Sequence, residues 1–176
     1  FSGREALMNF STARLQSMAL PMAEGLDLNQ LRDAVVPDGL LDRVRVRLLG
    51  LPIEVNGYYD MIKTLEGVGY SHSSGDAEGG IPYDTCFTFG YDWRRDLSET
   101  AQELAQYIEE KKAYLQEQYE LYYGVRDYDV KFDIVAHSMG GLITRYYLLY
   151  GDEGLPLDGS LPNVTWSGAE NIRKAV

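Results

Sequence analysis

The sequence predicts an α/β fold with a mostly parallel sheet, because strand-like and helix-like segments alternate along its second half. One observation behind this is the apolar run 130–136, which a helical pattern follows directly. Another is the amphipathic segment before it, which begins at the capping sequence Asp96-Leu97-Ser98-Glu99 and keeps one apolar face, out to Tyr119 and Tyr122, as far as Gly124. A crossover helix of this length makes consecutive strands parallel.

The remaining elements follow from the same patterns. Helical spacing of Tyr58, Ile62 and Leu65 predicts a helix that glycines end, and residues 85–89 predict a strand after a Gly- and Ser-rich loop, 71–82. The helix after position 138 should end at Gly151, and a further strand should start within 171–176. We expect residues 49–176 to form the core.

Residues 1–48 are apolar in places but have no clean period, so we expect an irregular segment with a short helix. A methionine-rich stretch within it could serve as a lid over a lipid site or as packing for the sheet. Both readings stay open.

Composition excludes several functions. The chain has 176 residues, of which 45% are hydrophobic, enough for one domain with a core. Its apolar stretches are far shorter than the roughly 18 residues of a membrane-spanning helix. A net charge of −11 argues against nucleic-acid binding.

The lone Cys86 has no intrachain disulfide partner and reads as a small buried residue. The two histidines lack the spacing of metal ligands, so the sequence predicts neither a metal nor a cofactor.

The most informative motif is Ala136-His137-Ser138-Met139-Gly140, placed between the predicted strand and the predicted helix. It is typical of a nucleophile elbow, a sharp turn that exposes the serine Oγ and directs the next backbone N–H at a developing oxyanion. Small residues are needed two positions before and after the serine, and Gly141 would let the helix pack close to the strand. The alternative is that Ser138 merely caps the helix.

Together with Gly90-Tyr91-Asp92-Trp93-Arg94, this motif resembles the lecithin:cholesterol acyltransferase family of α/β-hydrolases. The resemblance, which runs from about Leu49 onward, implies a partial α/β-hydrolase fold. It also implies lipid-ester chemistry, with Ser138 as nucleophile, the Met139 backbone N–H as oxyanion donor and residues 91–94 shaping the acyl pocket. The alternative for 91–94 is an ion pair from Asp92 to Arg94 or Arg95 bracing the loop beside a packed Trp93.

A general base is missing from the pattern. In this fold the triad acid and histidine follow the serine, but no histidine follows Ser138. His137 should point away from Oγ and pack against neighbours, and His72 reads as an exposed loop residue, although recruiting it as base stays open. The acidic residues after the elbow read as solvated loop charges, namely Asp152, Glu153, Asp158 and Glu170.

Both ends look cut, so we expect an internal fragment of a larger hydrolase that is inactive and aggregation-prone by itself. The predicted function is a serine hydrolase or acyltransferase of the lipase class, acting on lipid or other acyl esters. Alternatives are a carboxylesterase on non-lipid esters and a binding or scaffold protein that has lost its triad. Membrane-surface contact, compartment and oligomeric state stay open.

Overall fold

The computed structural model describes residues 30, 37, 39, 43–48, 51–56, 58–72 and 81–176. The chain divides into two compact units, Phe1–Arg94 and Arg95–Val176, and each is described by itself. The lid-like segment and short helix expected within residues 1–48, and most of the Gly- and Ser-rich loop, lie outside the described residues. The expected boundary at position 48 therefore stays a prediction.

The first unit contains an antiparallel hairpin of β1 (Arg43–Leu48) and β2 (Leu51–Asn56). Its register runs from Arg43 opposite Asn56 to Leu48 opposite Leu51, with two residues connecting the strands. The expectation of an irregular segment is wrong for 43–48. The alternation of arginine with valine there is the period-two signal that would have predicted the strand.

A short helix follows the hairpin, as predicted. This helix, α1 (Tyr59–Gly67), buries Ile62, and the chain leaves it through Gly69 at a φ of 104°. The predicted strand at 85–89 is not observed. The backbone N–H groups of Thr85 and Cys86 instead both donate to the Ser71 carbonyl, at 2.9 and 2.8 Å, so they do not pair with a neighbouring strand.

The second unit opens with the long helix α2 (Leu97–Tyr123), whose predicted ends are confirmed. The Asp96 carboxylate caps it by accepting from the Ser98 N–H at 2.8 Å, and Gly124 ends it in the left-handed conformation. Glu99 departs from the expected capping box, because its carboxylate holds the Arg95 guanidinium at 2.7 Å.

One face of α2 packs against α3 (Met139–Tyr150), and α3 ends at Gly151 as predicted. The buried residues of this unit's core are Ala101, Leu104, Ala105, Ile108, Leu115, Val130, Ile143 and Tyr147. The apolar face that the sequence predicts as far as Tyr122 is not buried along its whole length, since Tyr122 is 47% exposed. The reason is length: α2 has 27 residues and α3 has 12, and α2 buries nothing beyond Leu115.

Strands β3 (Phe132–Ile134) and β4 (Ile172–Ala175) form a two-stranded parallel sheet joined through α3. The strand expected within 171–176 is confirmed, whereas β3 is shorter than the apolar run 130–136. The register pairs Phe132 with Ile172 and Ile134 with Ala175. This is a βαβ connection, the unit from which parallel sheets are built.

The chain returns from α3 to β4 through a loop and the 3₁₀ helix Ser167–Asn171. The N–H groups of Thr165 and Trp166 both donate to the Leu149 carbonyl, at 3.0 and 2.9 Å. Gly168 is buried against the Tyr147 carbonyl so closely that a Cβ there would lie far inside van der Waals contact. The last turn of α3 thus packs directly against the 3₁₀ helix that leads into β4.

Two glycine substitutions test this packing. Gly168→Ala should lower the free energy of unfolding by about 1–3 kcal/mol, because the methyl group has no room against the helix backbone. Gly141→Ala is the matched control. Close packing was expected at Gly141, but a Cβ there meets nothing within 4 Å, so alanine should be neutral or stabilise by up to about 1 kcal/mol. Urea unfolding measures both, and equal midpoints would contradict the described packing.

Candidate active site

Ser138 lies between β3 and α3 in a backbone conformation that non-glycine residues rarely adopt. Its φ is 55° and its ψ is −124°, and the residue is exposed. Such a conformation costs on the order of 1–3 kcal/mol and persists only where the surrounding structure imposes it. The imposed geometry presents a hydroxyl at the strand-to-helix turn.

Helix capping does not account for this serine. The Ser138 side chain makes no capping hydrogen bond to α3. The first turn is closed by backbone carbonyls instead, with the Gly140 N–H donating to His137 at 3.0 Å and the Gly141 N–H donating to Ser138 at 2.9 Å. Met139, the first helical residue, carries one of the N–H groups for which an α-helix supplies no internal acceptor.

The two histidines differ from expectation. His137 is exposed, whereas the sequence favoured a packing role for it. His72 is half-buried rather than solvated, with Nδ1 3.0 Å from the Cys86 carbonyl oxygen. Because a carbonyl only accepts, this contact requires a proton on Nδ1. No short-range pattern could have predicted it, since the partners are 14 residues apart.

Cys86 offers no competing nucleophile. Burial, together with the nearby carboxylates of Glu66 and Asp84, raises the pKa of the Cys86 thiol. A thiol with a raised pKa carries less thiolate at neutral pH and is correspondingly unreactive. The interpretation of Cys86 as a small packing residue agrees with its half-buried position.

The segment 91–94 is organised by an ion pair between residues two apart. The Asp92 carboxylate accepts from the Arg94 guanidinium at 2.8 Å (Nε) and 2.6 Å (Nη2) and from the Arg94 backbone N–H at 3.0 Å, and both side chains are mostly buried. Arg95 pairs with Glu99 instead. The brace considered from sequence is therefore present, but Trp93 is 62% exposed rather than packed.

Tyr91 lies beside this brace, in the first unit. Its ring stacks on Phe89 with centroids 5.9 Å apart, and burial, with a smaller effect from Tyr58, raises the pKa of the Tyr91 phenol. Gly90, which precedes it, approaches the Gly39 backbone so closely that a Cβ would come within 3.0 Å. The segment around Trp93 is thus restrained before it by the close approach of Gly90 to Gly39 and after it by the Asp92–Arg94 pair.

The acidic residues that follow Ser138 are exposed, as expected of solvated charges: Asp152, Glu153, Asp158 and Glu170. Hydrogen bonds from Ser160 hold the pKa of Asp158 below its usual range. Across the described residues, no group of three or more His, Cys, Asp or Glu side chains is placed to hold a metal ion. No helix in that same part of the chain combines the length and apolar character needed to cross a membrane.

A serine at positive φ, between a strand and the helix that leads to a parallel strand, is typical of α/β-hydrolases. The family model for lecithin:cholesterol acyltransferase matches residues 52–166, well over half of the 176 residues, and the chain belongs to that family. The family implies an α/β-hydrolase fold and suggests lipid acyltransferase or hydrolase activity. No curated protein and no solved structure matches the chain.

Replacing Ser138 should reveal the strain at this position. Ser138→Gly should raise the free energy of unfolding by about 1 kcal/mol, because glycine adopts positive φ without the steric cost and loses only part of the gain through its more flexible unfolded state. Ser138→Ala keeps the strain and should change stability by less than about 0.5 kcal/mol. Urea unfolding of the parent protein and the two variants measures these differences. A glycine variant that is less stable than the alanine variant would contradict a strained serine.

Proposed function

We propose that this chain carries the nucleophile of a serine acyl hydrolase or acyltransferase that acts on lipid esters through an acyl-enzyme. The observation that carries the proposal is the backbone of Ser138, held at a φ of 55° between a strand and a helix, with the hydroxyl uninvolved in helix capping. A strained, exposed serine at this point of a βαβ unit is the arrangement that a nucleophile elbow requires.

In the proposed chemistry, Ser138 Oγ attacks the ester carbonyl carbon and the carbonyl oxygen becomes an oxyanion. The Met139 backbone N–H, at the start of α3, is one donor to that oxygen. Collapse of the tetrahedral intermediate expels the alcohol and leaves the acyl group on Ser138, from which water or a second alcohol removes it. The serine proton passes to a general base, and we assign neither that base nor its acid.

The lipid class of the substrate comes from the family and from the segment 91–94. The buried Asp92–Arg94 pair fixes the backbone on both sides of Trp93, whose exposed indole is available for an acyl chain. We propose that Tyr91 and Trp93 line the acyl pocket and that Asp92 and Arg94 position them. A partial α/β-hydrolase fold over residues 49–176 belongs to the same proposal.

Covalent labelling tests the nucleophile directly. The intact protein that carries this sequence should react with a fluorophosphonate, because an activated serine attacks phosphorus as it attacks an ester carbonyl. The adduct should map to Ser138 in the tryptic peptide 132–145, which mass spectrometry identifies.

The controls separate this serine from others. Ser138→Ala should abolish labelling and ester hydrolysis, whereas Ser160→Ala, at an exposed position, should leave both unchanged. A folded, intact protein that is never labelled would exclude the acyl-enzyme and favour a binding or scaffold role for the fold.

The pocket is tested through acyl-chain length. Trp93→Ala should lower kcat/KM for p-nitrophenyl laurate about tenfold while changing the value for the butyrate ester little, since only the long chain reaches the indole. Trp93→Phe should retain most of the laurate activity. If both esters lose activity equally, Trp93 is not an acyl contact; a preference of the unaltered protein for butyrate would favour a carboxylesterase on non-lipid esters.

A further inference from the structure

Thr144 is a buried polar residue of α3, one helical turn after Gly140. The residue is 6% exposed, and its hydroxyl donates to the Gly140 carbonyl at 2.8 Å. In an α-helix this carbonyl is also the acceptor for the N–H four residues later. The hydroxyl is therefore a second donor to the same oxygen, and the helix could form without it.

The first turn of α3 is a weak helix start that gains from an added restraint. Gly140 and Gly141 lie side by side in it. Glycine loses more backbone freedom on folding than any other residue, so two in succession make a turn that opens easily. A Cβ at Gly141 would meet nothing within 4 Å, so no packed neighbour holds that side of the turn.

Two peptide groups connect Thr144 to the proposed oxyanion donor. The Gly140 carbonyl and the Gly141 N–H belong to the first peptide group. The Ser138 carbonyl and the Met139 N–H belong to the second, and the Gly141 N–H donates to the Ser138 carbonyl at 2.9 Å. Because a peptide group is planar and trans, its C=O and N–H point in opposite directions. The direction of each hydrogen bond therefore sets the direction of the next.

This chain of hydrogen bonds ends at the Met139 N–H. Hydrogen bonds that follow one another polarise each other, so the last N–H of the chain becomes a stronger donor. Planarity also restricts where that N–H points. A donor to an oxyanion must be held to within about 0.5 Å of its productive position, so a small loosening of the turn matters.

We infer that Thr144 is a positioning residue, which aims and polarises the Met139 N–H through the two peptide groups 140–141 and 138–139. The effect on an oxyanion rests on the proposed function, whereas the hydrogen bonds themselves do not. Thr144 acts only through the backbone and does not touch the ester.

Kinetics of the intact protein test the inference. Thr144→Val removes the hydroxyl and keeps the branched shape. With p-nitrophenyl butyrate, kcat should fall about tenfold and KM should change less than about twofold, because the lost interaction acts on the oxyanion and not on the bound ester. Thr144→Ser restores a hydroxyl and should recover most of kcat.

Stability separates positioning from a merely structural role. The urea midpoint of Thr144→Val should equal or exceed that of the parent protein, because valine buries more apolar surface and the helix N–H still satisfies the Gly140 carbonyl. A midpoint that falls together with kcat would indicate a structural role and overturn the inference.

Thr100→Val is the matched control. Thr100 is 1% exposed, and its hydroxyl donates to the Asp96 carbonyl at 3.1 Å, which is the same bond across one turn at the start of α2. This variant should leave kcat unchanged. An unchanged kcat in Thr144→Val, a loss that Thr144→Ser does not recover, or an equal loss in Thr100→Val would overturn the inference.

Amide hydrogen exchange distinguishes failure of this inference from failure of the proposed function. The Gly141 N–H should exchange several-fold faster in Thr144→Val than in the parent protein or in Thr144→Ser, because its peptide group has lost a restraint. Unchanged exchange would overturn the inference even if kcat fell. Faster exchange in a protein that fluorophosphonate never labels would keep the hydrogen-bond chain and remove both the proposed function and the positioning role.

Discussion

The parallel pairing of β3 with β4 is the constraint from which the rest of the second unit follows. Parallel strands need a crossover, and α3 supplies it. Only four residues separate the end of β3 from the start of α3, so the backbone must reverse direction sharply there. The positive φ of Ser138 is where that reversal is concentrated. At the far end of α3, the Leu149 carbonyl receives two N–H donors and directs the chain back toward β4.

Most of the helical structure could be predicted from sequence, because helix ends are set by local chemistry. Asp96 caps α2, and Gly124 and Gly151 end α2 and α3, each through contacts within a few residues. Strands were less predictable. Residues 85–89 have strand-like composition, but the amides of Thr85 and Cys86 bond to the Ser71 carbonyl. The strand β1, in contrast, has a clear alternation of arginine and valine that the prediction of an irregular segment does not use. A strand depends on a partner, and the partner is not a local property.

In the candidate site, too, local features could be predicted from sequence and non-local contacts could not. The sharp turn at Ser138 could be predicted because the motif that indicates it is five consecutive residues, and the Asp92–Arg94 pair could be considered because its partners are two positions apart. The contact of His72 with Cys86 could not be predicted, because it depends on how residues 71 and 85 come together in the folded chain. Trp93 is exposed because its two neighbours, Asp92 and Arg94, are buried as an ion pair. Composition does not specify which of the three side chains is buried.

The conformation of Ser138 also bears on how this gene changes over time. Glycine is the substitution expected to relieve the strained backbone at that position, so a copy of the gene that no longer needs the hydroxyl should tolerate glycine there. If the proposed chemistry holds, a serine retained at this position is kept for its hydroxyl and not for the fold. Under that proposal, the residue at position 138 would distinguish active members of the lineage from inactive ones.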